Sequence, residues 1–152
     1  MDKAKLMAHL TRICSMREYC KKDIAAKIER LKGDDAIDTQ AIISQLCEDK
    51  YIDENRYAAF FARDKSALAG WGVKKIRYAL SAKGIPAEII DGALEQIDEG
   101  KALSKMNSVL SAKWRTIKGN EQEKFVKLVR FGQSRGYDYN QIKAFYDNVR
   151  RG

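Results

Sequence analysis

The stretch Ile76-Arg77-Tyr78-Ala79-Leu80-Ser81-Ala82-Lys83-Gly84-Ile85-Pro86-Ala87-Glu88-Ile89-Ile90 decides the fold. Ile76 and Leu80 stand four residues apart on one helical face, and Gly84 is placed to stop that helix. Pro86 follows where proline is tolerated, in the first turn of a helix. That next helix carries Ile89, Ile90, Ala93, Leu94 and Ile97. The same corner returns as Leu128-x3-Gly132-x3-Gly136-Tyr137-x4-Ile142. A helix–stop–helix corner repeated at this distance predicts units that bury their apolar faces on neighbours.

Working outward, nearly every segment has helical period. Leu6, Leu10, Ile13 and Cys14 form one apolar face. Ser15-Met16-Arg17-Glu18 has the form of a capping box and predicts a second helix through Ile24, Ile28 and Leu31, ending at Gly33. Asp38 or Thr39 opens a third, with Ile42, Ile43, Leu46 and Cys47. Asp53 is placed to cap a helix bearing Tyr57, Phe60, Phe61 and Leu68, which ends at Gly70-Trp71-Gly72. Val73, Ile76 and Leu80 then share a side of the next helix. Leu103, Met106, Leu110, Trp114 and Ile117 mark a further helix broken at Gly119-Asn120. Asn120-x-x-Glu123 leads into Phe125, Leu128 and Val129, and Asp138-x-x-Gln141 opens a last helix with Ile142, Phe145, Tyr146 and Val149. The predicted class is all-α, about nine helices in tandem three-helix repeats at 1–52, 53–99 and 100–152. Three units of roughly 20 Å would give an elongated or curved body about 60 Å long.

The 152 residues are 45% hydrophobic and 33% charged, with one proline, which excludes a disordered or stalk-like chain. The longest nearly apolar run, Tyr57 to Ala62, is too short to cross a bilayer. Met1 is followed by Asp2-Lys3-Ala4-Lys5 with no apolar segment behind it, so a cytoplasmic location is expected. Three cysteines (Cys14, Cys20, Cys47) without C-x-x-C spacing read as buried free thiols. One histidine, His9, leaves no ordinary zinc ligand set and no catalytic triad, and is expected to be exposed on its helix. Gly70-Trp71-Gly72 lacks the strand and trailing glycine of a dinucleotide site, and no phosphate-binding P-loop is present. Acid pairs such as Asp34-Asp35, Asp53-Glu54 and Asp98-Glu99 fall at helix ends, where carboxylates cap backbone N–H groups. No catalytic residue, cofactor or metal is expected; the chain reads as a binding protein.

Net charge is +8, and it is unevenly spread. Residues 101–152 hold twelve Lys/Arg against four Asp/Glu, whereas residues 1–50 hold ten against nine and 51–100 seven against eight. Arg56 to Lys83 is basic, with seven cations and one acid, while Gly84 to Gly100 has five acids and no base. A basic surface of this kind suits an anionic partner, although a solvated lysine-rich face would look the same.

Lys50-Tyr51-Ile52-Asp53-Glu54-Asn55-Arg56-Tyr57-Ala58-Ala59-Phe60-Phe61-Ala62-Arg63-Asp64-Lys65, followed by Trp71-Gly72-x3-Ile76-x3-Leu80-x2-Lys83-Gly84-Ile85, closely resembles the RecX family of regulators of the bacterial recombinase RecA. That family carries G-Y-I-D-D-x-R-F/Y-A at the start of its second repeat, then G-x-x-R/K-I/L-x-x-x-L-x-x-K/R-G-I/V. Its upstream element appears as Ser15-Met16-Arg17-Glu18-Tyr19. The likeness runs from Ser15 to Ile97 and, more faintly, from Lys124 to Val149. Here Glu54 replaces the second Asp, Lys50 stands where the family has glycine, and the first corner loop is longer.

The resemblance implies tandem three-helix repeats and a regulator that binds along the RecA–DNA filament, usually inhibiting ATPase, strand-exchange and coprotease activities, as a monomer. Glu18, Tyr51, Asp53, Tyr57, Phe61, Gly72 and Gly84 are the structural positions of the motif. The candidate contact set is Arg56, Arg63, Lys65, Trp71, Lys74, Lys75, Arg77 and Lys83, with Lys124, Lys127, Arg130 and Arg135 in the third repeat. Arg56 also has the alternative of pairing with a carboxylate between repeats, and Trp71 that of filling a seam rather than anchoring a partner. The alternative function is direct, largely sequence-nonspecific binding to the backbone of single- or double-stranded DNA. Base reading is disfavoured because the helix from Pro86 to Ile97 carries Glu88, Asp91 and Glu95, with Asp98 directly after it, which phosphates would repel.

Overall fold

The computed structural model describes residues 1–151. Among the described residues it contains nine helices and no strand: α1 Lys3–Met16, α2 Lys21–Lys32, α3 Thr39–Glu48, α4 Glu54–Ala67, α5 Val73–Ala82, α6 Ala87–Glu95, α7 Glu99–Trp114, α8 Glu121–Ser134 and α9 Tyr139–Arg151. The all-α class expected from periodicity is the one observed. The chain divides into two compact units, Met1–Phe60 with Leu80–Ala93, and Phe61–Ala79 with Leu94 onward. These boundaries fall inside α4, α5 and α6, so they count the chain differently from three sequential repeats.

In the first unit, Leu6, Leu10 and Cys14 of α1 pack with Ile24 and Ile28 of α2, with Ile42, Ile43 and Leu46 of α3, and with Ile52. Asp2 caps α1 through Lys5 N, and Asp38 caps α3 through Ala41 N. The α2 start corrects the sequence reading. Ser15 lies within α1, where its hydroxyl donates to the Thr11 carbonyl, and α2 begins only at Lys21. Its N-cap position is Cys20, which provides no side-chain cap; instead the Glu54 carboxylate accepts from Lys21 N at 3.1 Å. Glu54 therefore supplies from α4 the negative charge that a helix N-terminus favours.

In the second unit, Met106 and Leu110 of α7, Leu128 of α8, Ile142, Phe145 and Tyr146 of α9, and the loop residues Ile117 and Tyr137 form the core. Asn120 caps α8 through Glu123 N at 2.9 Å. Asp138 and Gln141 form a complete capping box at α9: Gln141 N donates to Asp138 Oδ1 at 2.8 Å, and Asp138 N to Gln141 Oε1 at 3.0 Å. Gly132 has no side chain because the Ile142 side chain occupies the place where a Cβ would stand.

Four apolar residues expected on buried faces are instead exposed: Phe60, Leu68, Val73 and Leu103. On α5, Ile76 and Leu80 are buried while Val73 is not. Val73 shares their stripe by spacing but is the first residue of α5 and lines a pocket, so its side chain is left partly open.

Candidate interaction surface

The motif residues of the first unit hold one another. Asp53 Oδ1 accepts from Arg56 N at 3.0 Å, capping α4 as expected. The Arg56 guanidinium pairs with Glu18 and donates to the Lys50 carbonyl at 3.1 Å. This pairing holds the Arg56 guanidinium above its ordinary pKa, the Glu18 hydrogen bond contributing most. Lys83 Nζ lies 2.8 Å from Asp23 Oδ1, and that bond likewise raises the Lys83 pKa. Lys22 Nζ donates to the Ala82 carbonyl at 2.9 Å. Tyr57 is buried, and desolvation holds its hydroxyl far above its usual pKa. Arg56 thus has the carboxylate pairing that was its expected alternative, and Lys83, expected at a partner surface, also has a carboxylate partner in this unit.

Lys50 has φ 66°, the only positive φ among non-glycine described residues. This left-handed position closes α3 and explains why the resembling motif carries glycine there, since a Cβ is strained in that conformation.

The second unit gathers two of the expected contact residues, Lys65 and Lys75, around the ring of a third, Trp71. Lys75 Nζ lies 4.5 Å and Lys65 Nζ 4.9 Å from the centroid of Trp71. Phe61 meets Trp71 edge-on at 6.0 Å. Two ammonium groups against one indole form a half-buried aromatic with concentrated positive charge, stabilised by the ring quadrupole. Lys74 is exposed beside it. Arg77 is exposed on the same helix and is engaged in an interaction of its own.

Trp71 is also a wall of a pocket of about 390 Å³. Val73, Ile76, Leu94, Ile97, Leu103 and Met106 supply its apolar surface, and Glu95 and Glu99 its charge. Nearby, Arg63 lines a smaller depression with Asp98 and Lys101.

Lys124, Lys127, Arg130 and Arg135 do not act as one set. Lys124 Nζ sits 4.3 Å over Trp114, itself edge-on to Tyr146. Lys127 and Arg130 line an open groove with Lys113, Lys118, Thr116, Ile117 and Phe131. No carboxylate lines this groove. Lys113 and Lys118 were missed because α7 places one at its last turn and the following loop the other, a proximity that helical spacing does not signal. Arg135 points elsewhere: its guanidinium donates to the Ala69 carbonyl, and the neighbouring Tyr137 hydroxyl to that of Gly70.

Cys14 and Cys20 are buried and Cys47 half-buried, all free thiols whose pKa burial raises, away from the reactive thiolate. His9 is half-buried rather than exposed, 3.2 Å from the Arg12 guanidinium. Among the described residues no three His, Cys, Asp or Glu side chains come together as metal ligands, and no helix is long and apolar enough to cross a membrane.

Comparison with known proteins agrees with the motif. The family model for RecX, second three-helix domain, matches residues 53–94. Regulatory protein RecX of Vibrio campbellii is 32% identical over 131 residues, covering 86% of this chain and 82% of that protein. RecX of Chlorobium phaeobacteroides is 29% identical over 150 residues, covering 99% and 97%. RecX of Clostridium tetani is 34% identical over 121 residues, but this chain spans only 55% of its length. Among solved structures, RecX from Lactobacillus salivarius superposes with a TM-score of 0.74 at 20% identity, covering 98% of this chain and 97% of that one. Another crystal structure of regulatory protein RecX gives 0.82 at 21%, covering 95% and 71%. The structural likenesses establish the fold, and the sequence identities establish that this chain belongs to the RecX family of regulatory proteins.

Proposed function

We propose that this chain binds the RecA–DNA filament and modulates it, in the sense of inhibiting ATPase, strand exchange and coprotease activities, without catalysing a reaction itself. Family membership supports a regulatory role, and one observation carries the mode of binding: Lys65 and Lys75 flank Trp71, with Lys74 exposed beside them. An aromatic anchor ringed by cations suits a negatively charged protein surface lying close to DNA phosphates. Three tandem three-helix repeats, acting as a monomer in the cytoplasm, complete this reading. Linked weak contacts from successive repeats would favour assembled filament over free RecA through avidity.

Direct binding to the DNA backbone is a second reading, favoured by the groove of Lys113, Lys118, Lys127 and Arg130. A pull-down with RecA assembled on single-stranded DNA, beside bare DNA and free RecA, separates the two. The proposal expects the greatest retention on the filament. Equal retention on bare DNA supports the second reading, and no retention on filament refutes the first.

A further inference from the structure

The 390 Å³ pocket of the second unit has a composition opposite to that of the basic surface beside it. Val73 and Leu103 are 47% and 55% exposed at its mouth, Met106 is buried beneath, and Glu95 and Glu99 supply negative charge. Trp71 is shared: one side of the residue belongs to this pocket, while its ring carries Lys65 and Lys75.

We propose that the pocket receives an apolar side chain from a protein segment in which that anchor is flanked by lysine or arginine. Two observations choose this occupant. Val73 and Leu103 leave apolar area uncovered that burial would stabilise. Glu95 and Glu99 then select the charge of the neighbouring residue, because a cation there is attracted. The same two carboxylates exclude DNA, whose phosphates they repel. The Trp71 region thereby offers two contacts of opposite preference: the lysines take an acidic partner surface, and the pocket takes an apolar-basic segment. Such a pairing fixes orientation on a protein partner, since reversing the partner would bring like charges together.

The inference rests on the proposed engagement of a RecA filament, and the test keeps the two apart. A photo-crosslinking amino acid is placed at Leu103, and the chain is mixed with RecA assembled on single-stranded DNA, sedimented and irradiated. The expected result is co-sedimentation with a crosslink to RecA, mapping by mass spectrometry to a segment with an apolar residue beside Lys or Arg. Crosslinking to DNA, to a second copy of this chain, or to nothing despite co-sedimentation overturns the pocket assignment and leaves filament binding intact. Absence of co-sedimentation by the wild-type chain overturns the filament reading and the pocket assignment with it. In parallel, Leu103→Asp is expected to weaken filament binding at least tenfold with an unchanged melt. Glu95→Lys/Glu99→Lys is expected to weaken it as well, whereas binding through the basic surface alone predicts that this reversal would strengthen it.

Discussion

Gly72 and Gly136 meet backbone to backbone. Gly72 N donates to the Arg135 carbonyl at 2.7 Å, and Lys74 N to the Gly136 carbonyl at 3.2 Å. A Cβ on Gly72 would overlap the Gly136 carbonyl, and one on Gly136 would lie 2.6 Å from the Lys75 Cβ. The loop between α4 and α5 is thus locked to the loop between α8 and α9, and the lock positions both Trp71 and Lys75.

Gly72→Ala is therefore expected to destabilise the protein by about 2–3 kcal/mol, because backbone rather than a flexible side chain must move. Gly84→Ala should cost only about 1 kcal/mol: its φ is +78°, but a Cβ there meets nothing within 4 Å. Urea denaturation of both variants gives the comparison, and equal losses would show that the loop crossing is not tight.

Lys50→Gly should raise stability by about 0.5–1 kcal/mol, since the left-handed backbone at Lys50 is strained with a Cβ and unstrained without one. A lower urea midpoint for this variant would mean that the lysine side chain contributes more than the strain costs.

Stability should fall as pH rises above about 8.5, the ordinary thiol pKa. Cys14, Cys20 and Cys47 have folded pKa values raised by burial. Their contribution is fully present below the unfolded pKa and is lost as pH climbs through the folded one, because the unfolded chain then binds fewer protons. Thermal melts from pH 7 to 10 should decline, and less steeply for Cys20→Ala. A flat or rising profile contradicts this.

Binding to filament should weaken steeply with added salt and show little DNA sequence preference, because the proposed contacts are cations against phosphates and carboxylates. Titrations at 50 and 200 mM salt test this directly; salt-insensitive binding would remove the basic surface from the account.

The helix inventory was legible because apolar spacing, caps and stop glycines are local signals. Asp53, Asn120, Asp138 and Gln141 all perform the capping that the sequence suggested. Ser15 did not, because a capping-box pattern inside a helix is indistinguishable by sequence from one at its start. The site was less legible. Charge counting named Arg56, Lys83 and Arg135 as contact candidates without showing their internal partners, Glu18, Asp23 and the Ala69 carbonyl, of which only a carboxylate for Arg56 was expected. Those partners lie 38, 60 and 66 residues away, beyond any helical period. The Trp71–Lys75 contact, four residues apart, was within reach of spacing, whereas Lys65 reaches the ring across a glycine turn.

The exposed and half-buried basic side chains of α5 and α8 are expected to act on a filament. The most direct measurement is RecA ATPase activity on single-stranded DNA with the wild-type chain and with two charge-reversed variants, Lys74→Glu/Lys75→Glu/Arg77→Glu and Lys124→Glu/Lys127→Glu/Arg130→Glu, beside circular dichroism melts. Inhibition by the wild type and weaker inhibition by both variants are expected, each retaining helical content, with a loss of melting temperature of about a few degrees from the Lys75–Trp71 and Lys124–Trp114 contacts, the Lys127–Lys118 carbonyl bond and the interaction of Arg77. Undiminished inhibition by both folded variants would contradict this.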